Sequence, residues 1–185
     1  MTEPRSVDDN QKFLLEIIKR FDSYINASNA KIAVILSYCM AYIGGLGFKL
    51  VDISSTRVHD AGWWGLLGTC LVSVVATLIA ARFAYQALAP QVPSGRGAHE
   101  VPSVVFFGDV ATHPGGRDGY AKTINQITNE EVVQDLARQA HTLAAIANSK
   151  FVLIKNASQC IGYIQIPSFS LILVLMLTAL QQTTK

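Results

Sequence analysis

The residues with the most evident capacity for chemistry lie in the stretch SVVFFGDVATHPGG, residues 103–116. Phe106 and Phe107 offer apolar or stacking surface, Gly108 permits a turn or a close backbone approach, and Asp109 can cap a helix or accept hydrogen bonds from hydroxyl or amino groups. That is a set for holding a flat molecule, or for tucking a segment against its neighbours. It is not a set for breaking bonds. Three cations stand at helical positions elsewhere: Lys31 on a first amphipathic segment, Arg138 and Lys150 on a second. Solvation or contact with lipid head groups accounts for all three without a ligand.

No enzyme signature accompanies them. Nucleophile-elbow, phosphate-loop and zinc-protease patterns are missing, and His59, His99, His113 and His141 have no metal-ligand spacing. Glu130 and Glu131 are adjacent, so they do not share a helix face and belong instead to a helix start. Cys39, Cys70 and Cys160 lie in or beside apolar segments with no paired spacing, as small packing residues do. The expectation is a protein that is not an enzyme and has no metal or resident cofactor.

The elements that position these residues follow from hydropathy. Of 185 residues, 50% are hydrophobic and only 15% charged, with a mean hydropathy of +0.31, an unusual balance for a soluble domain. Residues 32–48, 61–81 and 156–184 lack Asp, Glu, Lys and Arg altogether. At roughly 1.5 Å of rise per residue, each approaches or exceeds the about 30 Å of a bilayer core, and Lys31 and Lys49 can snorkel from the ends of the shortest. Three transmembrane helices are predicted.

Orientation follows from the cations: twelve of the Lys and Arg residues fall in residues 1–31 and 82–155, and three in residues 49–60 and at the C-terminus. The positive-inside rule then places the N-terminus and the long connection in the cytoplasm and the C-terminus outside. The polar start MTEPRSVDDNQK is not a cleavable signal, and a net charge of +2 does not argue for a nucleic-acid polymer as partner.

Around the spans, Ser6 with Asp9 and Thr128 with Glu131 have the spacing of capping boxes. Leu14, Ile18, Phe21, Ile25 and Ile32 then repeat at helical steps, as do Val132, Leu136, Ala140, Leu143, Ala147 and Ile154. The two amphipathic helices run into spans one and three, leave the cytoplasm in the same direction, and can pair through their apolar stripes. Residues 89–117, rich in Pro and Gly, read as loop apart from the apolar run 103–107. Trp63 and Trp64 read as outer-interface anchors, Pro167 as a kink in span three, and Gly44, Gly45 and Gly47 as sites of close helix approach. Thr69, Ser73 and Thr77 fall on one face of span two, better suited to close packing than to lining a pore.

The predicted fold is thus an all-α membrane protein. Residues 1–31 form a cytoplasmic helix, 32–81 two spans with a short external loop, 82–155 a cytoplasmic region, and 156–185 the third span. Three helices with no polar seam do not enclose a conducting path alone, so an active form is expected to be a homo-oligomer in the lipid bilayer.

The order of these features, with the junction Asn29-Ala30-Lys31, the FFGD stretch and the helix DLARQAHTLAAIANSKF, resembles the transmembrane effectors of Pycsar, the bacterial pyrimidine cyclase system of antiphage defence. The likeness runs from about Phe13 to Leu180. It departs from the usual pattern at Asn29, where an acid is common, and in the HPGG insertion after FFGD. In that family a separate cyclase makes cyclic UMP or cyclic CMP on infection, and the effector senses it and damages the inner membrane. The resemblance implies that residues 82–155 and the N-terminal helix are the sensor, and that the spans disrupt the membrane and stop growth. It implies a ligand site drawn from Arg138, Lys150 or Lys31 for the phosphate, Phe106 or Phe107 beside Gly108 for the base, and Asp109 or Asp135 for ribose hydroxyls or base amino groups. Other classes consistent with the residues are a passive anchor or scaffold that recruits a protein, and a holin-like pore former without a ligand.

Overall fold

The computed structural model describes residues 5–54, 61–89 and 102–183. His59, His99 and most of the Pro-rich and external loops lie outside the described residues. Those described are helical and turn structure, with no strand among them. Helix α1 spans Val7–Ser54, α2 Ala61–Leu88, α3 Phe107–Ala111, α4 Gly116–Gln126 and α5 Asn129–Cys160; a π-helical turn, Ile161–Gln165, joins α5 to α6, Ile166–Thr183. Three stretches, in α1, α2 and the α5–α6 run, are long and apolar enough to cross a membrane.

Both capping boxes form. The Asp9 amide donates to Ser6 Oγ (3.2 Å), and Ser6 Oγ donates to the Asp9 carboxylate (2.8 Å). At the start of α5 the amide and hydroxyl of Thr128 donate to Glu131 (2.8 and 2.9 Å), and the Glu131 amide donates back to Thr128 Oγ1 (3.3 Å). These contacts satisfy amides that a helix start leaves without an internal partner. The backbone bond of Thr128, then its side-chain bond, holds the Glu131 carboxyl below its ordinary range.

The chain divides into two compact units, one from Met1–Ala27 with Pro90–Asn148 and one from Ser28–Ala89 with Ser149–Lys185. In the first, Leu136, Ala140 and Ala147 of α5 are buried, and Leu14, Ile18, Phe21 and Ile25 of α1 are half-buried. This is the outcome expected of two apolar stripes 3.6-periodic in sequence.

The second unit is a three-helix bundle. Leu46 of α1, Trp63, Leu66 and Cys70 of α2 and Ile172 of α6 form one cluster; Cys39, Ala80 and Ala157 form another; Ile32, Ala84, Ala87 and Ile154 form a third. Their order makes α2 antiparallel to α1 and to the α5–α6 run, which are parallel to each other as topology requires. Ala76, Ala80, Ala84 and Ala87 are buried along one stripe of α2. Because lipid tails are as apolar as Leu, tight backbone approach at such small residues replaces the hydrophobic effect as the source of cohesion.

Several expectations are corrected. Within residues 89–117, expected to be loop, Phe107–Ala111 is a helix and a second helix, Gly116–Gln126, begins, with HPGG as the turn between them and Gly116 at φ +60°. Trp63 is packed in the bundle core and only Trp64 is exposed. A Cβ added at Gly44, Gly45 or Gly47 would meet nothing within 4 Å, so these glycines are not sites of close approach within the chain. Just ahead of Pro167, where a kink is expected, the structure has a π-turn, itself a feature at which helices bend: the Ile166 amide donates to Ile161, five residues back. A wider turn is one way for a helix to relieve the clash between a proline ring and the carbonyl four residues before it.

The bundle also holds a polar seam that residue counting missed. Ser73 and Thr77 are buried, with Tyr42 bonded to Ser73 and Thr77 Oγ1 donating to the Ser73 carbonyl (2.8 Å). Tyr38 donates to Gln165 Oε1 at 2.8 Å. Packing is therefore the role of Ser73 and Thr77, while Thr69 donates to the Gly65 carbonyl of its own helix (2.9 Å).

Candidate functional site

The apolar run of the first unit is held by two carboxylates. Asp135, on α5 and only 8% exposed, accepts at one oxygen, Oδ2, from the amides of Val104 (2.8 Å) and Val105 (3.2 Å) and from Ser103 Oγ (2.8 Å). Asp109 accepts from the Ser103 amide (2.7 Å). Ser103 Oγ in turn accepts from the amides of Val105 (3.1 Å) and Phe106 (2.9 Å), and Tyr120 Oη on α4 donates to the Val104 carbonyl (2.8 Å). Four successive amides, 103 to 106, thus find acceptors in a segment with no ladder or helix to supply them. Among the described residues, none of the Asp135 bonds uses Oδ1.

Beyond this clasp the rings diverge. Phe106 is half-buried over Gly108, where a Cβ would stand 2.7 Å from the ring. Phe107 is 71% exposed, its ring centre 4.8 Å from that of Phe106. A broad open groove of about 510 Å³ lies alongside, lined by Val104, Val105, Tyr120, Ile124, Ile127, Asn129 and Val132. Arg138 is one turn along α5 from Asp135, exposed, and pairs with no carboxylate among the described residues. His113 is a local packing residue: its Nδ1 accepts from the Gly115 amide (3.2 Å), and its ring meets Tyr120 edge-on.

Phe106, Phe107, Gly108, Asp109, Asp135 and Arg138 therefore belong to one unit. Lys31 and Lys150 belong to the other. Lys150 is 6% exposed; its Nζ donates to the Ala87 carbonyl (2.6 Å) and to Asn29 Oδ1 (3.0 Å), and burial pushes its pKa down. Its charge is committed to an uncharged carbonyl and an amide. Lys31 is exposed, 6.0 Å from the centre of the Phe151 ring, at the outer limit of a cation–π contact.

Sequence reasoning overlooked Ser103 and Tyr120, which close the clasp, and Gln165, which ends the π-turn. Ser103 and Tyr120 carried no signal beyond being polar in a mixed segment. Gln165 did: it is an amide inside a charge-free span, and such groups face partners rather than lipid.

A family model described as PycTM, the Pycsar effector protein domain, matches residues 13–180. No curated protein and no solved structure matches the chain. With the model covering nearly its whole length, this chain belongs to the Pycsar effector family, membrane effectors of antiphage defence.

Proposed function

We propose that this effector binds a cyclic pyrimidine mononucleotide, cyclic UMP or cyclic CMP, through its first unit and responds by disrupting the bacterial inner membrane, arresting or killing the infected cell. The nucleotide comes from a separate cyclase. The observation that carries this reading is the coexistence, on one small unit, of an exposed aromatic face at Phe107, a guanidinium at Arg138 that pairs with no carboxylate among the described residues, and two carboxylates that hold the backbone of residues 103–105. A cyclic mononucleotide asks for these groups: a flat apolar partner for its base, a planar cation for its single negative phosphate, and acceptors for hydroxyl or amino groups. Oδ1 of Asp135 is the acceptor left by the clasp. Lys31 and Lys150 serve the second unit, Lys150 as an internal tie and Lys31 at the head-group level.

The N-terminus and residues 82–155 face the cytoplasm, where the cyclase product is made, and the C-terminus faces the periplasm, a reading supported by the distribution of Lys and Arg. Helix α5 has residues in both units, so a change in the helix on ligand binding has a covalent route into the spans. The active form is a homo-oligomer. The test is dye release from liposomes containing the purified full chain, with and without cyclic UMP and cyclic CMP. Release that depends on one of the nucleotides is expected. Release without nucleotide would instead identify a pore former without a ligand, and no release under any condition would favour an anchor that recruits a protein.

A further inference from the structure

Gln165 is fully buried in the three-helix bundle. Its Oε1 accepts from Tyr38 at 2.8 Å, while its Nε2 has no partner among the described residues. A donor left without an acceptor in an apolar bundle is a standing cost of this arrangement, relieved in any other that lets it reach water or a second acceptor. The same residue ends the π-turn Ile161–Gln165. Such a turn holds one more residue than an α-helix does over the same path, and it is uncommon outside functional sites. If it tightens to α-helix, the helix beyond it rotates by about 100° relative to the helix before it. Two independent features, one of the side chain and one of the backbone, thus fall on the same five residues of the bundle. Tyr42 and Ser73 are bonded in the same interior and supply further polar groups.

We propose that the π-turn and the Tyr38–Gln165 bond form a two-state latch: closed as described, and open when the turn tightens, the bond breaks and Gln165 Nε2 meets water entering the seam beside Tyr42 and Ser73. This rests on the membrane-disrupting function proposed above, and it locates the change within the chain. Removing Tyr38 Oη takes a partner from the closed state only. Replacing Gln165 by an apolar side chain of similar size breaks the same bond, but it also removes the orphan donor from the closed state and the water contacts of both amide groups from the open one, so its balance favours the closed state. The two partners of a single hydrogen bond are therefore expected to act in opposite directions, which a merely structural bond does not do.

The test uses the full chain in liposomes and two readouts, dye release over a nucleotide titration and the rate at which maleimide labels Cys39, which is buried next to Tyr38. Tyr38→Phe is expected to speed labelling and lower the nucleotide concentration for release by about fivefold, the ratio one net hydrogen bond sustains. Gln165→Leu is expected to shift both about as far the other way, with Gln165→Met as a second variant should Leu fail to fold. Shifts of the same sign, or labelling rates unchanged in both variants, overturn the latch. Opposite shifts in labelling with no dye release from any chain, wild type included, would uphold the latch and refute the membrane-disrupting function.

Discussion

Lys150 donates from Nζ to Oδ1 of Asn29 at 3.0 Å, joining α5 to α1 inside the spanning unit through a cation and a neutral amide. Since Nζ also reaches the Ala87 carbonyl on α2, one ammonium ties all three chain segments of the unit together. A buried cation with only uncharged partners has lost hydration without gaining a counter-charge, which is why its pKa is lowered. Asn29→Asp supplies that charge and is expected to raise the midpoint of thermal unfolding in detergent, whereas Lys150→Ala, which leaves the Ala87 carbonyl without its donor, is expected to cost about 1–3 kcal/mol. An Asn29→Asp protein no more stable than wild type would show that solvent already screens this site.

The same lysine gives stability a dependence on alkaline pH. Its folded pKa lies below the ordinary value of 10.5, so over the interval just below that value the unfolded chain binds the proton more than the folded chain does. Stability from this group therefore rises as pH climbs through the lowered pKa towards 10.5, and is flat outside that window. Unfolding midpoints compared between wild type and Lys150→Met across this range isolate the contribution of the ammonium, which the variant lacks. Glu131 works in the opposite region: its lowered pKa contributes stability at neutral pH that is lost as pH falls through the carboxylate range, and Glu131→Gln should flatten that acid limb.

Asp135 is expected to hold the 103–106 segment more than any other side chain. Asp135→Ala removes three hydrogen bonds to a charged acceptor, and a single bond of that kind is worth about 1.5–3 kcal/mol. Hydrogen exchange at the Val104 and Val105 amides should accelerate in this variant, with partial recovery in Asp135→Asn, which keeps an oxygen acceptor. Unchanged protection at both amides would remove the carboxylate from its place as the clasp.

Phe107 and Arg138 separate ligand binding from folding. Both are exposed, so Phe107→Ala and Arg138→Ala should leave helicity and unfolding intact. Loss of base stacking, at about 1–3 kcal/mol, corresponds to roughly 5- to 150-fold weaker nucleotide binding by calorimetry. Arg138→Lys should recover only part of the loss seen in Arg138→Ala, because a point charge does not reproduce the planar fork. Asp109→Ala is a different case, weakening binding and the Ser103 anchor together. Normal nucleotide response in both Phe107→Ala and Arg138→Ala would move the site elsewhere.

The glycines of the HPGG turn supply a purely steric prediction. A Cβ at Gly115 would stand 2.7 Å from the Cα of Gly119, a backbone atom that cannot swing aside, and Gly116 occupies φ +60°, which costs L residues about 1 kcal/mol or more. Gly115→Ala should therefore loosen the start of α4, seen as faster exchange of the Gly119 and Tyr120 amides. Gly108→Ala meets only the edge of the Phe106 ring and should be milder.

The spans, both caps and the parallel course of α1 and α5 were legible in the sequence because each rests on local, one-dimensional information: charge-free length, a polar residue three places before an acid, apolar residues every three or four. The helices in residues 107–126 were not, since four glycines and a proline between Gly108 and Gly119 mask two short helices that are tied to the preceding segment by the bonds of Asp109 to Ser103 and of Tyr120 to Val104. The candidate ligand residues stood out in the sequence by type, but type alone does not say what an atom is bonded to.

By itself, then, the sequence determined an all-α chain with three spans and an amphipathic entry to two of them, because hydropathy and helical period act within one element. Only the tertiary structure decided that Asp109 and Asp135 bond the backbone of residues 103–105, that Lys150 ties three segments of the bundle, and that Gln165 sits half-satisfied on a π-turn opposite Tyr38. Each of those facts joins residues between 6 and 127 positions apart. A hydrogen bond is a match of two groups in space, and no periodicity along the chain specifies which distant partner completes it.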